Sequence, residues 1–244
     1  MTVAQQVARP ARADSIFFPA MAWAMAAVVF AGFAPSWFLR GYIPSPIPLA
    51  PLPPLIILHG IAFTSWILLF IAQTSLVAAN RRDIHRKLGG WGVGLAVAML
   101  VLGWMAAVNS LRHGFTPLPE ISPAVFFVIP VASLVVFAAL VLLGVRDRKR
   151  PDHHKRYMLI SVMSLLLPAV ARVGTMGLIP GPPLMMGFAV ADAFLLALAA
   201  YDFFRRGKLH PATFIGGAIL IVSEPGRILV GQTQWWQHFA NSLV

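Results

Sequence analysis

Cysteine is absent from the 244 residues, which excludes disulfides, thiolate metal centres and cysteine nucleophiles. Charge is scarce too: Asp, Glu, Lys and Arg make up 11% of the chain, against about 25% in soluble domains. So little charge cannot cover a water-facing surface. Acidic residues are rarest, 8 Asp and Glu against 19 Lys and Arg, for a formal net charge of +11. No glycine-rich phosphate loop, His-Glu-x-x-His zinc pattern or convincing Ser/His/Asp spacing occurs. No lysine sits in the middle of an apolar run, which argues against a retinal-type Schiff base. Any metal or haem would depend on the 7 histidines, the carboxylates or Met.

What is abundant is apolar residues, 59% of the chain, with a mean hydropathy of +0.78. They form seven runs: Ile16–Phe38, Leu55–Ala79, Leu88–Ser110, Ala124–Val145, Tyr157–Leu178, Leu184–Phe204 and Thr213–Val230. At 1.5 Å per residue each can cross a hydrocarbon core about 30 Å thick. Backbone groups in lipid must satisfy one another, so the runs are expected to be helices. The fold expected is an all-α membrane protein, a seven-transmembrane-helix bundle over residues 16–230. A cytoplasmic tail, 1–15, precedes it, and a periplasmic interfacial tail, 231–244, follows. Arg9 and Arg12 precede the first run, but it is too long for a signal sequence and Pro35 follows the best small-residue site, so it reads as retained.

Orientation follows from the basic loops. Arg81, Arg82, Arg86 and Lys87 lie between runs 2 and 3, and Arg146, Arg148, Lys149, Arg150, Lys155 and Arg156 between runs 4 and 5. Arg205, Arg206 and Lys208 lie between runs 6 and 7, while the alternate loops hold only Arg40 and Arg112. The bias predicts a bacterial inner-membrane protein with its N-terminus cytoplasmic and its C-terminus periplasmic. It also makes the lipid bilayer the first partner, with anionic headgroups at the basic loops, and no nucleic acid. A membrane-complex partner and a homo-oligomer both stay open. The Pro-rich stretch 41–54 is expected to be an extended cap, and Gly90-x-x-x-Gly94 a site of close helix packing.

A short motif recurs where runs begin: Asp83-Ile84-His85-Arg86-Lys87, Asp152-His153-His154-Lys155-Arg156 and Lys208-Leu209-His210-Pro211. His85-Arg86-Lys87-Leu88-Gly89 after His59, then His154-Lys155-Arg156-Tyr157-Met158 with Arg172 downstream, resemble uncharacterised bacterial multipass inner-membrane proteins, grouped as domains of unknown function. The resemblance covers roughly Leu58 to Arg172. It implies a multipass helical fold and no particular activity.

Two constellations could carry chemistry. His59, Arg172, Asp192, Glu224 and Arg227 are ionisable groups inside the runs, at similar depth toward the outer side. A charge at a span's centre costs about 2.5–3.5 kcal/mol on insertion scales, so such groups are expected to face a shared interior. Ser161, Ser164, Pro168, Arg172 and Thr175 fall on one face of a continuous fifth helix, and Pro225 is expected to break the seventh at a ligand cavity. His59, Phe63, Trp66, Phe70 and Gln73 form a row on the second helix that could line a cofactor. A salt-bridge network joining helices is the architectural alternative.

The second constellation is His85, His154 and His210 on the cytoplasmic side. With a carboxylate they would suit a zinc-like metal, and two of them a haem b. In the plainer alternative, Asp83 and Asp152 cap helices and the histidines lie among lipid headgroups. Three functions remain: a small-molecule or proton/ion binding or transport protein, a haem- or metal-dependent oxidoreductase or hydrolase, and an accessory subunit.

Overall fold

The computed structural model describes residues 12–45, 49–116, 121–178 and 181–244. The tail expected at 1–15 lies outside the described residues as far as residue 11. The described chain forms nine α-helices: α1 (Arg12–Phe33), α2 (Pro54–Ala78), α3 (Arg82–Arg112), α4 (Pro123–Arg146), α5 (Pro151–Met163), α6 (Leu167–Thr175), α7 (Pro183–Arg206), α8 (Pro211–Gly231) and α9 (Gln234–Asn241). A π-helical turn, Ala34–Phe38, prolongs α1 at Pro35, whose missing N–H breaks the regular ladder. Seven helical segments are long and apolar enough to cross a membrane, with α5 and α6 counting as one. The protein is a multipass, seven-helix bundle.

Half or more of the α4 and α5–α6 spans is buried, against a third or less of every other span, so these two form the centre. α4 packs against α3, α5 and α8, while α6 packs against α7 and α1. Met99, Phe137, Leu140, Leu159, Ile160 and Leu166 are fully buried where these helices meet. Leu68, Leu142, Leu196 and Val222 point outward, as lipid-facing positions should. Because the loops alternate, one end of the bundle carries the basic loops (the basic end) and the other carries the starts of α2, α4 and α7 (the far end).

Several expectations need correction. The fifth span is not one continuous helix but bends at Ser164–Leu166, between α5 and α6. Pro168 cannot donate to the Ser164 carbonyl and its ring crowds it, so the ladder gives way there. The single polar stripe from Ser161 to Thr175 is therefore cut in two. By contrast, α8 runs unbroken through Pro225, since one proline removes one bond and the turns on either side persist.

Gly90 and Gly94 do not mediate packing within the chain. A Cβ at either would meet nothing within 4 Å, because they lie on the outward face of α3. The close approach is at Gly32, where a Cβ would fall 2.2 Å from the Ala169 carbonyl oxygen, so α1 and α6 touch backbone to backbone. Nor do Asp83 and Asp152 cap their helices: the N-caps are Arg81 and Arg150, without a side-chain cap bond. Side-chain caps occur instead at His210, whose Nδ1 accepts the Ala212 N–H at 3.0 Å, at Ser122 on α4 and at Thr233 on α9. Within the tail, α9 lies on α4, burying Trp236, whose Nε1 donates to the Ala124 carbonyl at 2.9 Å.

Candidate functional site

At the basic end the sequence places Asp202 on the last turns of α7, where it is wholly buried. Arg156 of α5, only 2% exposed, donates to it from Nε at 3.0 Å and from Nη2. The other carboxylate oxygen accepts from Thr213 Oγ1 at 2.5 Å and from the His210 N–H at 3.2 Å. Arg156 Nη1 is satisfied by the Asp152 carbonyl at 2.9 Å. This cluster ties α5, α7 and α8 together.

A second cluster joins α1 to it. Lys155 reaches Asp14 at 2.8 Å and Asp152 at 2.6 Å, and the Tyr201 hydroxyl donates to Asp14 at 2.5 Å. Tyr201 also stacks on Phe17, with ring centroids 4.0 Å apart. Sequence reasoning placed Arg156 and Lys155 in a basic loop and missed both clusters. The available signal was the pair of acidic residues, Asp14 and Asp202, at the ends of apolar runs.

The three candidate histidines of the basic end separate into different neighbourhoods. His85 of α3 meets His154 of α5, with ring centroids 6.1 Å apart and planes at 84°. The ring neighbour of His210 is His153, at 4.8 Å. His153 also stands 3.2 Å from Asp147. Burial, with the positive charges of Arg156 and Arg206, pushes the His210 imidazole down to about 4. It is therefore neutral, as its acceptor role at the helix cap requires. A hydrogen bond from Arg146 holds the Asp147 carboxyl below the ordinary carboxylate range. Among the described residues, no three His, Asp or Glu side chains are gathered as a metal site.

At the far end the five intramembrane groups fall into two neighbourhoods. Arg172 on α6 lies over the Phe33 ring at 4.4 Å and donates to the Pro168 carbonyl at 3.0 Å. His59 on α2 is within electrostatic reach of Arg172 and stacks on Phe63 at 4.2 Å. Asp192 on α7 and Glu224 and Arg227 on α8 make the second neighbourhood, with Asp192 and Arg227 both within electrostatic reach of Glu224. Arg227 is almost fully buried, donating to Ser133 Oγ of α4 at 3.1 Å and to Ser223 Oγ at 3.2 Å, beside the Phe188 ring at 5.6 Å.

The salt-bridge network that would make this end purely architectural is not formed. Seven Asp and Glu residues are described, and five of them lie within 4.0 Å of a cationic side chain. The other two are Asp192 and Glu224. Moreover, Asp192 Oδ1, Arg227 Nε and His59 Nδ1 are buried without a hydrogen-bond partner in the protein. Such atoms cost about 1–3 kcal/mol each unless water or another group satisfies them. On the row along α2, Trp66 and Phe70 are core residues, with Trp66 edge-on to Phe137 at 5.1 Å.

No family model, curated protein or solved structure matches the chain.

Proposed function

We propose that the protein binds and translocates a proton or small ion across a bacterial inner membrane, using Asp192, Glu224 and Arg227. The basic loops face the cytoplasm in this reading, because positive loops are retained there, and the far end opens toward the periplasm. One observation carries it: the two described carboxylates without an ion pair are each other's neighbours, inside the bundle, beside a buried arginine. A buried carboxyl with a second one in electrostatic reach can take up and release a proton, and intramembrane groups of this kind mark ion pathways. Arg227 supplies the counter-charge, held in place by two serine hydroxyls rather than by a carboxylate. Arg172 and His59 form a second, neighbouring station for an anionic group.

The test is proton flux in proteoliposomes that enclose a pH-sensitive dye, driven by an imposed potassium-diffusion potential. Wild-type protein is expected to acidify the lumen faster than empty vesicles, and Asp192→Asn and Glu224→Gln to remove the excess while purifying normally. Wild-type flux equal to empty vesicles, or unchanged flux in both variants, would remove the reading.

A further inference from the structure

We propose that His85 and His154 form a binding site for monovalent copper, with the thioether of Met158 as third donor. The site lies at the basic end and is independent of the far-end carboxylates. Each imidazole keeps one nitrogen that can serve as a lone-pair donor. His154 Nδ1 lies 2.8 Å from the Gly144 carbonyl oxygen, which can only accept, so Nδ1 carries the proton and the Nε2 lone pair is free. Tying one ring nitrogen to a carbonyl is how metal-binding histidines are usually held. The His85 ring meets the main chain of Gln73, while its Nδ1 is buried without a partner.

The spacing fits a shared ion. A metal–nitrogen bond of about 2 Å and about 1 Å from nitrogen to ring centre, on both sides, puts opposed imidazole centroids about 6 Å apart. The observed centroid distance is 6.1 Å. Met158 follows His154 by one turn on the same helix face, and its Sδ rests against Gly144, 2.8 Å from where a Cβ on that glycine would lie. Met has three rotatable side-chain bonds, so the sulfur can swing toward the pair.

The donor set selects the ion. Zinc takes four ligands, and no third His, Asp or Glu gathers here among the described residues. Imidazole and thioether together favour Cu(I), which accepts low coordination numbers. Arg82 and Arg86 lie within electrostatic range of His85 and penalise a doubly charged ion more than a singly charged one.

The experiment is an anaerobic Cu(I) titration of detergent-purified protein against a chromophoric Cu(I) chelator, with gel filtration as the folding control. Wild type should take one Cu(I) per chain. His85→Gln and His154→Gln should each weaken binding by at least about 100-fold, and Met158→Leu by about tenfold. His113→Gln and His238→Gln should bind as wild type. X-ray absorption of Cu(I)-loaded wild type, which needs no variant, should show two imidazoles and one sulfur. The proposal fails if wild type takes up no Cu(I), if copper stays bound in both histidine variants, or if the absorption spectrum lacks imidazole. A Soret band in protein from haem-supplied cells, lost in His85→Gln, would give the pair to haem instead.

Discussion

Replacing Asp202 by alanine tests whether the basic-end cluster holds the bundle together. Arg156 is 2% exposed and Asp202 is fully buried. Truncating the carboxylate therefore strands a guanidinium with two N–H groups, at Nε and Nη2, aimed at nothing. Breaking a buried pair from one side costs about 3–5 kcal/mol. The Thr213 hydroxyl and the His210 N–H lose their acceptor as well, at about 1 kcal/mol or more each. The sum, about 5 kcal/mol or above, is comparable to the whole stability of many domains. Asp202→Ala should therefore fail to accumulate, or unfold at far lower denaturant than wild type in mixed-micelle titrations.

The double variant Arg156→Met, Asp202→Leu separates charge from shape. Apolar replacement of a buried pair is often neutral, so it should recover at least about 2 kcal/mol of the loss. A single variant within about 1 kcal/mol of wild type, or a double variant worse than the single, would refute the reasoning.

Further outcomes follow from other contacts. Gly32→Val should push α1 away from α6, because its Cβ would meet the Ala169 carbonyl at 2.2 Å; protease resistance of the purified protein should drop, and unchanged resistance would count against the packing described. Tyr201→Phe should cost about 1–2 kcal/mol in the same unfolding titration by removing the hydroxyl that donates to Asp14. For His210 the pH dependence has a definite sign. Its folded value is about 4 against an unfolded value near 6.5, so between those limits the unfolded chain binds more protons. Stability should fall on acidification from about pH 6.5 toward 4, with a slope of up to about 1.4 kcal/mol per pH unit, and be flat above that window. His210→Asn keeps a cap acceptor without the titration, so parallel slopes for the two proteins would exclude His210 as the source.

The seven spans were legible because lipid imposes a length and an apolarity that no soluble helix needs. Their starts were less so. α3 begins at Arg82 and α5 at Pro151, several residues before the apolar runs, because an interfacial turn stays helical while its side chains are charged. That shift puts His85 and His154 on helices. The far-end residues were legible as charges in apolar sequence, yet not their grouping. Arg172 turns to the Phe33 ring, a contact between α1 and α6 with no sequence periodicity to announce it. Arg156 was hidden among basic neighbours of identical appearance, and only folding shows that it alone among them is buried against Asp202.

The contrast between the two ends bears on function more than either end alone. At the basic end Asp14, Asp147, Asp152 and Asp202 all have cations within 4.0 Å, drawn from α5 and the last residue of α4. The chain therefore has the means to neutralise carboxylates by pairing, and does so where water and headgroups are near. Deeper in the bundle, where an unpaired charge costs most, Glu224 sits three residues from Arg227 on one helix face, a spacing at which pairs readily form. Instead, Arg227 turns to Ser133 and Ser223. Architecture alone would favour the direct pair, because it relieves both charges at once. Two carboxyls left open beside a guanidinium held by hydroxyls are what the proposed ion pathway requires, and the flux of Asp192→Asn and Glu224→Gln decides whether a mobile charge visits them.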